Sequence, residues 1–209
     1  MSPAGDQAGP VVGLLLAAGM GRRFDPAGKH NKLLAEADGI AVAARSAASL
    51  ASACDRVIAI LQPRSASLHD ALAAAGIVEF YECPDARLGM GHSLACGALA
   101  AIALQPRRLV VALADMPWVA SATIRTLVAA GDREHAPADL IVVPEYRGQR
   151  GHPVVFGVAH LSALARCSGD RGAAALLAEY PVERITVDDP GVIRDVDKPE
   201  DLLPTPDEA

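Results

Sequence analysis

The residues best equipped for chemistry follow the first long apolar run. Gly13-Leu14-Leu15-Leu16-Ala17-Ala18 breaks into Gly19-Met20-Gly21-Arg22-Arg23-Phe24, and Lys29 and Lys32 stand just beyond. A buried strand feeding small residues and glycines leaves bare backbone N–H groups able to wrap an anion, and nearby cations supply the counter-charge. Glycine suits such a loop because it accepts positive φ and lets a ligand approach the main chain. Two familiar phosphate loops are excluded. A Walker loop ends in GK[ST], and no such triplet occurs near Gly21. The dinucleotide fingerprint needs a third glycine where Phe24 stands and a helix at once, whereas Asp25-Pro26-Ala27-Gly28 breaks helicity. What is left is a long loop leading to a lysine.

Asp115 is the second candidate, because Arg108 to Ala114 reads as a core strand that stops at Asp115-Met116-Pro117. A carboxylate at a strand end beside a phosphate loop is well placed to hold Mg²⁺ against phosphate oxygens. The alternative is a helix cap for the segment after Pro117, but the glycine loop on the same sheet edge favours the metal. Gly89-Met90-Gly91-His92-Ser93 supplies a third loop of unusual residues. His92 and Cys96, four apart on a helix, could pair on a metal, but no second ligand pair lies nearby in sequence. His152 reads either as a site residue or as a packing histidine, and Asp170-Arg171 as an ordinary helix start with an acid at its positive end. Pro199-Glu200-Asp201 reads as a structural helix start, and Trp118 as packing.

The elements that must position these residues alternate along the chain. Strands are predicted at Val11–Ala18, Arg56–Leu61, Ile77–Tyr81, Arg108–Ala114 and Asp139–Val143. Helices are predicted at Ile40–Ala53, Ser67–Ala75 (ended by Gly76), Gly89 to about Leu104, and Ser121–Ala130, the last capped by Ser121. Uniformly apolar strands alternating with helices define an α/β fold, a doubly wound and mostly parallel sheet covered on both faces. In such sheets ligands lie outside the carboxyl ends of the strands, where all three candidate loops emerge. After Val143 the rhythm changes: a polar, Gly-rich stretch to Pro153, Val154–Phe156, a short helix at Ala159–Ala165, a helix at Ala173–Tyr180 and a strand at Val182–Val187, with a frayed tail from Pro204. We expect one domain over 1–209, about 11–143 binding nucleotide and about 144–203 shaping the acceptor side.

Composition narrows the classes. With 209 residues, 51% hydrophobic and 21% charged, the chain has ample core material and is not disordered. Aromatics are only 3%, so Ala, Val, Leu and Ile must build that core. A net charge of −6 excludes general nucleic-acid binding, so a phosphate ligand must be held by local cations or metal. Cys54, Cys83, Cys96 and Cys167 show no CxxC pair, and Met1 to Pro10 lacks a signal-peptide layout; Val11 to Ala18 is too short to span a membrane. A cytoplasmic setting with packing thiols is expected.

Leu16-Ala17-Ala18-Gly19-Met20-Gly21-Arg22-Arg23-Phe24 with Asn31-Lys32-Leu33-Leu34 resembles the LAAGxGxRM…K signature of GT-A-like nucleotidyltransferases. Leu113-Ala114-Asp115-Met116-Pro117 is similar to their metal-binding segment. Gly148 to Val154, Gly169 to Ala173 and Asp195 to Leu202 extend the resemblance to the molybdenum cofactor cytidylyltransferases within the MobA-like nucleotidyltransferases, in the family's order along nearly the whole chain. The resemblance implies transfer of CMP from CTP to the phosphate of molybdopterin, giving molybdopterin cytosine dinucleotide and pyrophosphate, with Mg²⁺ as cofactor and an apo molybdenum hydroxylase as a possible client. It further implies that Leu16, Ala17, Ala18, Gly19, Gly21 and Arg22 belong to the nucleotide loop, with Arg23 and Lys32 on the phosphates. Gly89, Met90, Gly91 and Ser93 would line the base and ribose pocket. Asp115 with Asp195 or Asp197 would hold metal, and Arg150, His152 and Asp170 would face the acceptor. Phe24 replaces the signature's Met, Asp25–His30 lengthens the spacer, Arg22 takes a usually smaller position, and the Pro that often follows the Leu33-Leu34 pair is missing. A guanylyltransferase, a nucleotidyltransferase on another phosphorylated acceptor, and a non-catalytic cofactor chaperone are the alternatives.

Overall fold

The structure, a computed structural model, describes residues 9–27 and 30–203; Lys29, most of the polar N-terminal stretch and the tail from Pro204 lie outside the described residues. Strand β1 (Val11–Leu16) is buried at every position. A 3₁₀ turn at Lys32–Leu34 leads to a hairpin of β2 (Glu36–Ala37) and β3 (Ile40–Ala41), then to α1 (Val42–Ala51). Next come β4 (Arg56–Leu61), α2 (Ala66–Ala74), β5 (Glu79–Glu82), α3 (Met90–Ile102), β6 (Arg108–Leu113) and α4 (Ser121–Gly131). The later part holds β7 (Ile141–Tyr146), β8 (Gln149–Arg150), β9 (Val154–Gly157), α5 (Leu161–Leu164), α6 (Ala174–Glu179) and β10 (Val182–Thr186).

The main sheet runs in the order β10-β7-β9-β6-β1-β4-β5, with β8 pairing the far end of β7. β1 pairs in parallel with β4 and β6, β4 with β5, and β10 with β7. β9 alone in that row runs against its neighbours, β6 and β7. Its reversal follows from chain length: a parallel return needs a long crossover, and the segment between β7 and β9 is too short for one. The sheet is therefore mostly parallel and covered on both faces, as the apolar strands predict. Alternate side chains face alternate layers. Leu15, Val110 and Val142 pack under α1, α2 and α4, while Leu14, Ile58, Val111 and Phe156 pack under α3 and α5.

Several local expectations shift. The hairpin β2–β3 takes Ile40 and Ala41 from the start of the predicted helix, turning at Asp38 (φ 52°) and Gly39 (φ 75°). The third strand begins at Glu79 instead of Ile77. Ser121 is the first residue of α4 and makes no capping bond. Asp189 caps that helix instead, its Oδ2 accepting from the Ala120 N–H at 3.0 Å and from Thr123 Oγ1 at 2.6 Å. All four cysteines are free. Burial pushes the Cys54 thiol up to about 12 and Cys96 up to about 11, which suits packing and opposes a thiolate role. No described helix is long and apolar enough to cross a membrane.

Candidate active site

Because β1 and β6 are parallel neighbours in register, Leu16 opposite Leu113, the loops leaving them open at one edge of the sheet. The glycine loop leaves β1 and turns at Gly21, whose φ of +58° is the left-handed conformation glycine favours. Its carbonyl accepts from the N–H groups of Phe24 and Asp25. Asp25 then accepts from the N–H groups of Ala27 and His30, each at 2.8 Å, ordering the start and end of the long spacer. Phe24 packs against the core. Gln62, the first residue past β4, donates through Nε2 to the carbonyls of Ala18 (2.9 Å) and Gly19 (3.3 Å) and so fixes the root of the loop.

Lys32 turns back beneath this loop with its side chain only 8% exposed. Its ammonium donates to Asp115 Oδ2 at 2.5 Å and to the Val196 carbonyl at 3.0 Å, and stands 3.5 Å from Asp197 Oδ1. Arg23 reaches the other oxygen of Asp197 at 2.5 Å. The segment before Asp197 is laid along the end of β6: the Val196 N–H donates to the Asp115 carbonyl at 2.8 Å, and the Arg194 guanidinium stacks 3.6 Å from the Trp118 ring centroid. Asp115 is thus no helix cap.

One oxygen each from Asp115, Asp195 and Asp197 falls within 4.8 Å of the other two, and this is the only such group of three or more among the described residues; His92 and Cys96 join none. Asp195 is the exposed member; desolvation by the groups around it, then the carboxylates of Asp197 and Asp115, raise its pKa, with Lys32 opposing. Three hard oxygen donors that repel one another fit a divalent cation such as Mg²⁺ or Mn²⁺.

These groups border a cleft of about 360 Å³. Its walls carry Leu16, Ala18, Gly19, Gly21, Arg22, Arg23, Lys32, Asp115 and Asp197, and across from them Gly89, Met90, Ser93 and Asp170. Arg22 makes no ion pair with any described residue, unlike Arg23 beside it. Ala17 and Gly91 sit behind the wall, their N–H groups donating to the carbonyls of Ile60 and Gly169. Asp170 therefore stands with the predicted base and ribose residues, not with Arg150 and His152. Those two are off the cleft. His152 is held by its N–H on the Val192 carbonyl at 2.8 Å, with a buried and unpartnered Nδ1. Burial, with Arg150 adding, lowers its pKa against the pull of Asp115, which keeps the imidazole neutral. Sequence reasoning missed Gln62 and Ala86, and named Leu113 only as part of the segment around Asp115. Only Gln62 carried a signal, as the first polar side chain at the end of a buried strand.

A parallel-sheet edge, a glycine loop with cations and a metal-competent acidic trio define a nucleotidyltransferase. Residues 13–185 match the MobA-like NTP transferase domain, and the chain belongs to that family. It is similar to the crystal structure of Rv0371c from Mycobacterium tuberculosis H37Rv, with 28% identity, a TM-score of 0.77, and 93% of this chain and 96% of that one covered. A structure of Rv0371C in complex with manganese is similar at 29% identity and TM-score 0.73, covering 92% and 95%. A nucleotidyl transferase from Methanothermobacter thermautotroptrophicus shares the fold at 20% identity, TM-score 0.76, covering 92% and 94%. No curated protein matches the sequence.

Proposed function

We propose that this chain transfers CMP from CTP to the terminal phosphate of molybdopterin, giving molybdopterin cytosine dinucleotide and pyrophosphate with Mg²⁺ as cofactor. The observation that carries nucleotidyl transfer is the meeting of Lys32, Arg23 and three carboxylates on a cleft bordered by the glycine loop. The choice of cytosine and of molybdopterin rests on the motifs at 148–154, 169–173 and 195–202. Within one domain, residues 144–203 would shape the acceptor side.

In the proposed reaction an acceptor phosphate oxygen attacks the α-phosphorus of the donor, and the bond to pyrophosphate breaks. The nucleophile is already anionic, so no strong general base is needed, and the protein acts by positioning and charge neutralisation. Loop N–H groups and Arg22 would hold the triphosphate, while Lys32, fixed between Asp115 and the Val196 carbonyl, presents an ammonium at the reacting end. Asp115, Asp195 and Asp197 would hold Mg²⁺, which when bound offsets the charge of the phosphates. The manganese complex of Rv0371C supports a divalent ion in this family.

The test is a panel of nucleoside triphosphates with purified molybdopterin and Mg²⁺, read as pyrophosphate release. CTP should turn over best, and Lys32→Ala should abolish turnover. Better use of GTP would move the chain to the guanylyltransferases. Tight molybdopterin binding without pyrophosphate from any nucleotide would make it a carrier.

A further inference from the structure

We infer that Asp170 is the residue with which this chain reads the ribose hydroxyls of the donor nucleotide, and that it is not an acceptor contact. The inference rests on the donor reading above and deepens it.

The loop carrying Asp170 is docked on the start of α3. The Gly91 N–H donates to the Gly169 carbonyl at 2.8 Å. Gly89 has φ +126°, and a Cβ there would run into the Gly169 backbone and lie 2.6 Å from Asp170 Oδ1. Two segments far apart in sequence thus meet without side chains between them, and the Asp170 carboxylate is brought to the cleft wall. It is exposed and has no hydrogen-bond or ion-pair partner among the described residues.

The cleft is electrically polar. Arg22, Arg23 and Lys32 gather on the side of the glycine loop, where Asp115 and Asp197 pair with Lys32 and Arg23 and would hold the metal that adds positive charge. A lone carboxylate stands on the side of Gly89 and Met90. A triphosphate is drawn to the first side and repelled from the second, which leaves the nucleoside beside Asp170. An ionised carboxylate can only accept hydrogen bonds. The two vicinal hydroxyls of ribose are donors that match its two oxygens and stay at the wetted rim, while Leu16, Ala86 and Met90 offer apolar surface to the base. Losing a hydroxyl that a charged acceptor expects costs about tenfold or more in affinity.

Calorimetric titration with the preferred triphosphate and its 2′-deoxy and 3′-deoxy forms, in Mg²⁺, tests this on the wild type, Asp170→Ala and Asp170→Asn. The wild type should bind at least one deoxy form about tenfold more weakly. Asp170→Ala should weaken the ribonucleotide to that same level and leave the deoxy form unchanged, with Tm unaltered. Asp170→Asn, which keeps one acceptor oxygen, should fall between. Equal binding of all sugars by the wild type, or equal weakening of all by Asp170→Ala, would overturn the assignment. So would a change confined to CTP against UTP, or to the KM of molybdopterin. Pyrophosphate release without sugar preference sinks only the Asp170 assignment, whereas a wild type that binds no nucleotide sinks the donor reading with it.

Discussion

Asp115, Asp195 and Asp197 face two paired cations, Lys32 and Arg23, so the cluster holds one uncompensated negative charge until a metal arrives. Asp195 bears that excess, because it is exposed and no described ion pair reaches it, while desolvation among its neighbours and the carboxylates of Asp197 and Asp115 push its pKa up. A carboxyl whose folded pKa lies above its unfolded one binds its proton more tightly when folded. Its contribution to stability is full in acid and is lost as pH rises from the ordinary carboxylate range of about 4 through the raised value. Asp195→Asn should therefore raise Tm at pH 7 in EDTA, flatten the change in Tm above pH 4, and shrink the further rise that Mg²⁺ or Mn²⁺ gives the wild type. A mutant no more stable than the wild type without metal would show that the carboxylates do not strain one another. Gln62 makes a contrasting prediction. Its side chain donates to the carbonyls of Ala18 and Gly19, so Gln62→Ala should raise the KM for nucleotide by about three- to tenfold and lower Tm by no more than about 4–8 °C, since each bond contributes only about 1 kcal/mol. Equal KM values in steady-state assays would remove Gln62 from loop positioning.

The segment 189–197 is the element that completes the site, and it is anchored by contacts no local pattern reveals. Asp189 is buried and accepts from the Ala120 N–H, Thr123 Oγ1 and, at 2.9 Å, the Gly191 N–H, joining the segment to the start of α4. Asp189→Ala uncaps the helix and strands buried donors, a loss of about 2–4 kcal/mol. Calorimetry should show Tm lower by roughly 5–15 °C, and Mn²⁺ titration should show weaker binding because Asp195 and Asp197 lose their support. Unchanged Mn²⁺ affinity would mean that the acidic pair is held independently of this anchor. The same contacts explain what was legible in the sequence. Six-residue apolar strands and the order of the glycine loop, Lys32 and Asp115 are local patterns, and they gave the α/β sheet and the centre of the site. Ser121 looked like the cap of α4 because its real cap is 69 positions from Ala120. Sequence order groups Asp170 with Arg150 and His152, because the docking of its loop on α3, Gly91 N–H to the Gly169 carbonyl, joins segments far apart in the chain. The hairpin β2–β3 did carry a signal, the turn dipeptide Asp38-Gly39 between Ala37 and Ile40, but two-residue strands are too brief for periodicity to show.

At the scale of the molecule, a chain of net charge −6 must take up an anionic nucleoside triphosphate. The excess negative charge of the acidic trio is offset across the cleft by Arg22, which pairs with none of the three, leaving Asp170 and the outer surface to repel a triphosphate at long range. Attraction is thus confined to a few ångströms while repulsion reaches across the solvent. Salt separates the two. The Debye length falls from about 30 Å at 0.01 M to about 8 Å at 0.15 M, which removes the distant repulsion first and leaves buried pairs such as Lys32–Asp115 nearly intact. Enzymes steered by an attractive field lose kcat/KM as salt is added. This one should gain, with kcat/KM for the nucleotide rising about two- to fivefold between 0.01 and 0.15 M NaCl at saturating Mg²⁺, and falling only at higher salt as contacts within the cleft weaken. A monotonic decrease over the whole range would place net attraction outside the cleft and contradict this division between local and global charge.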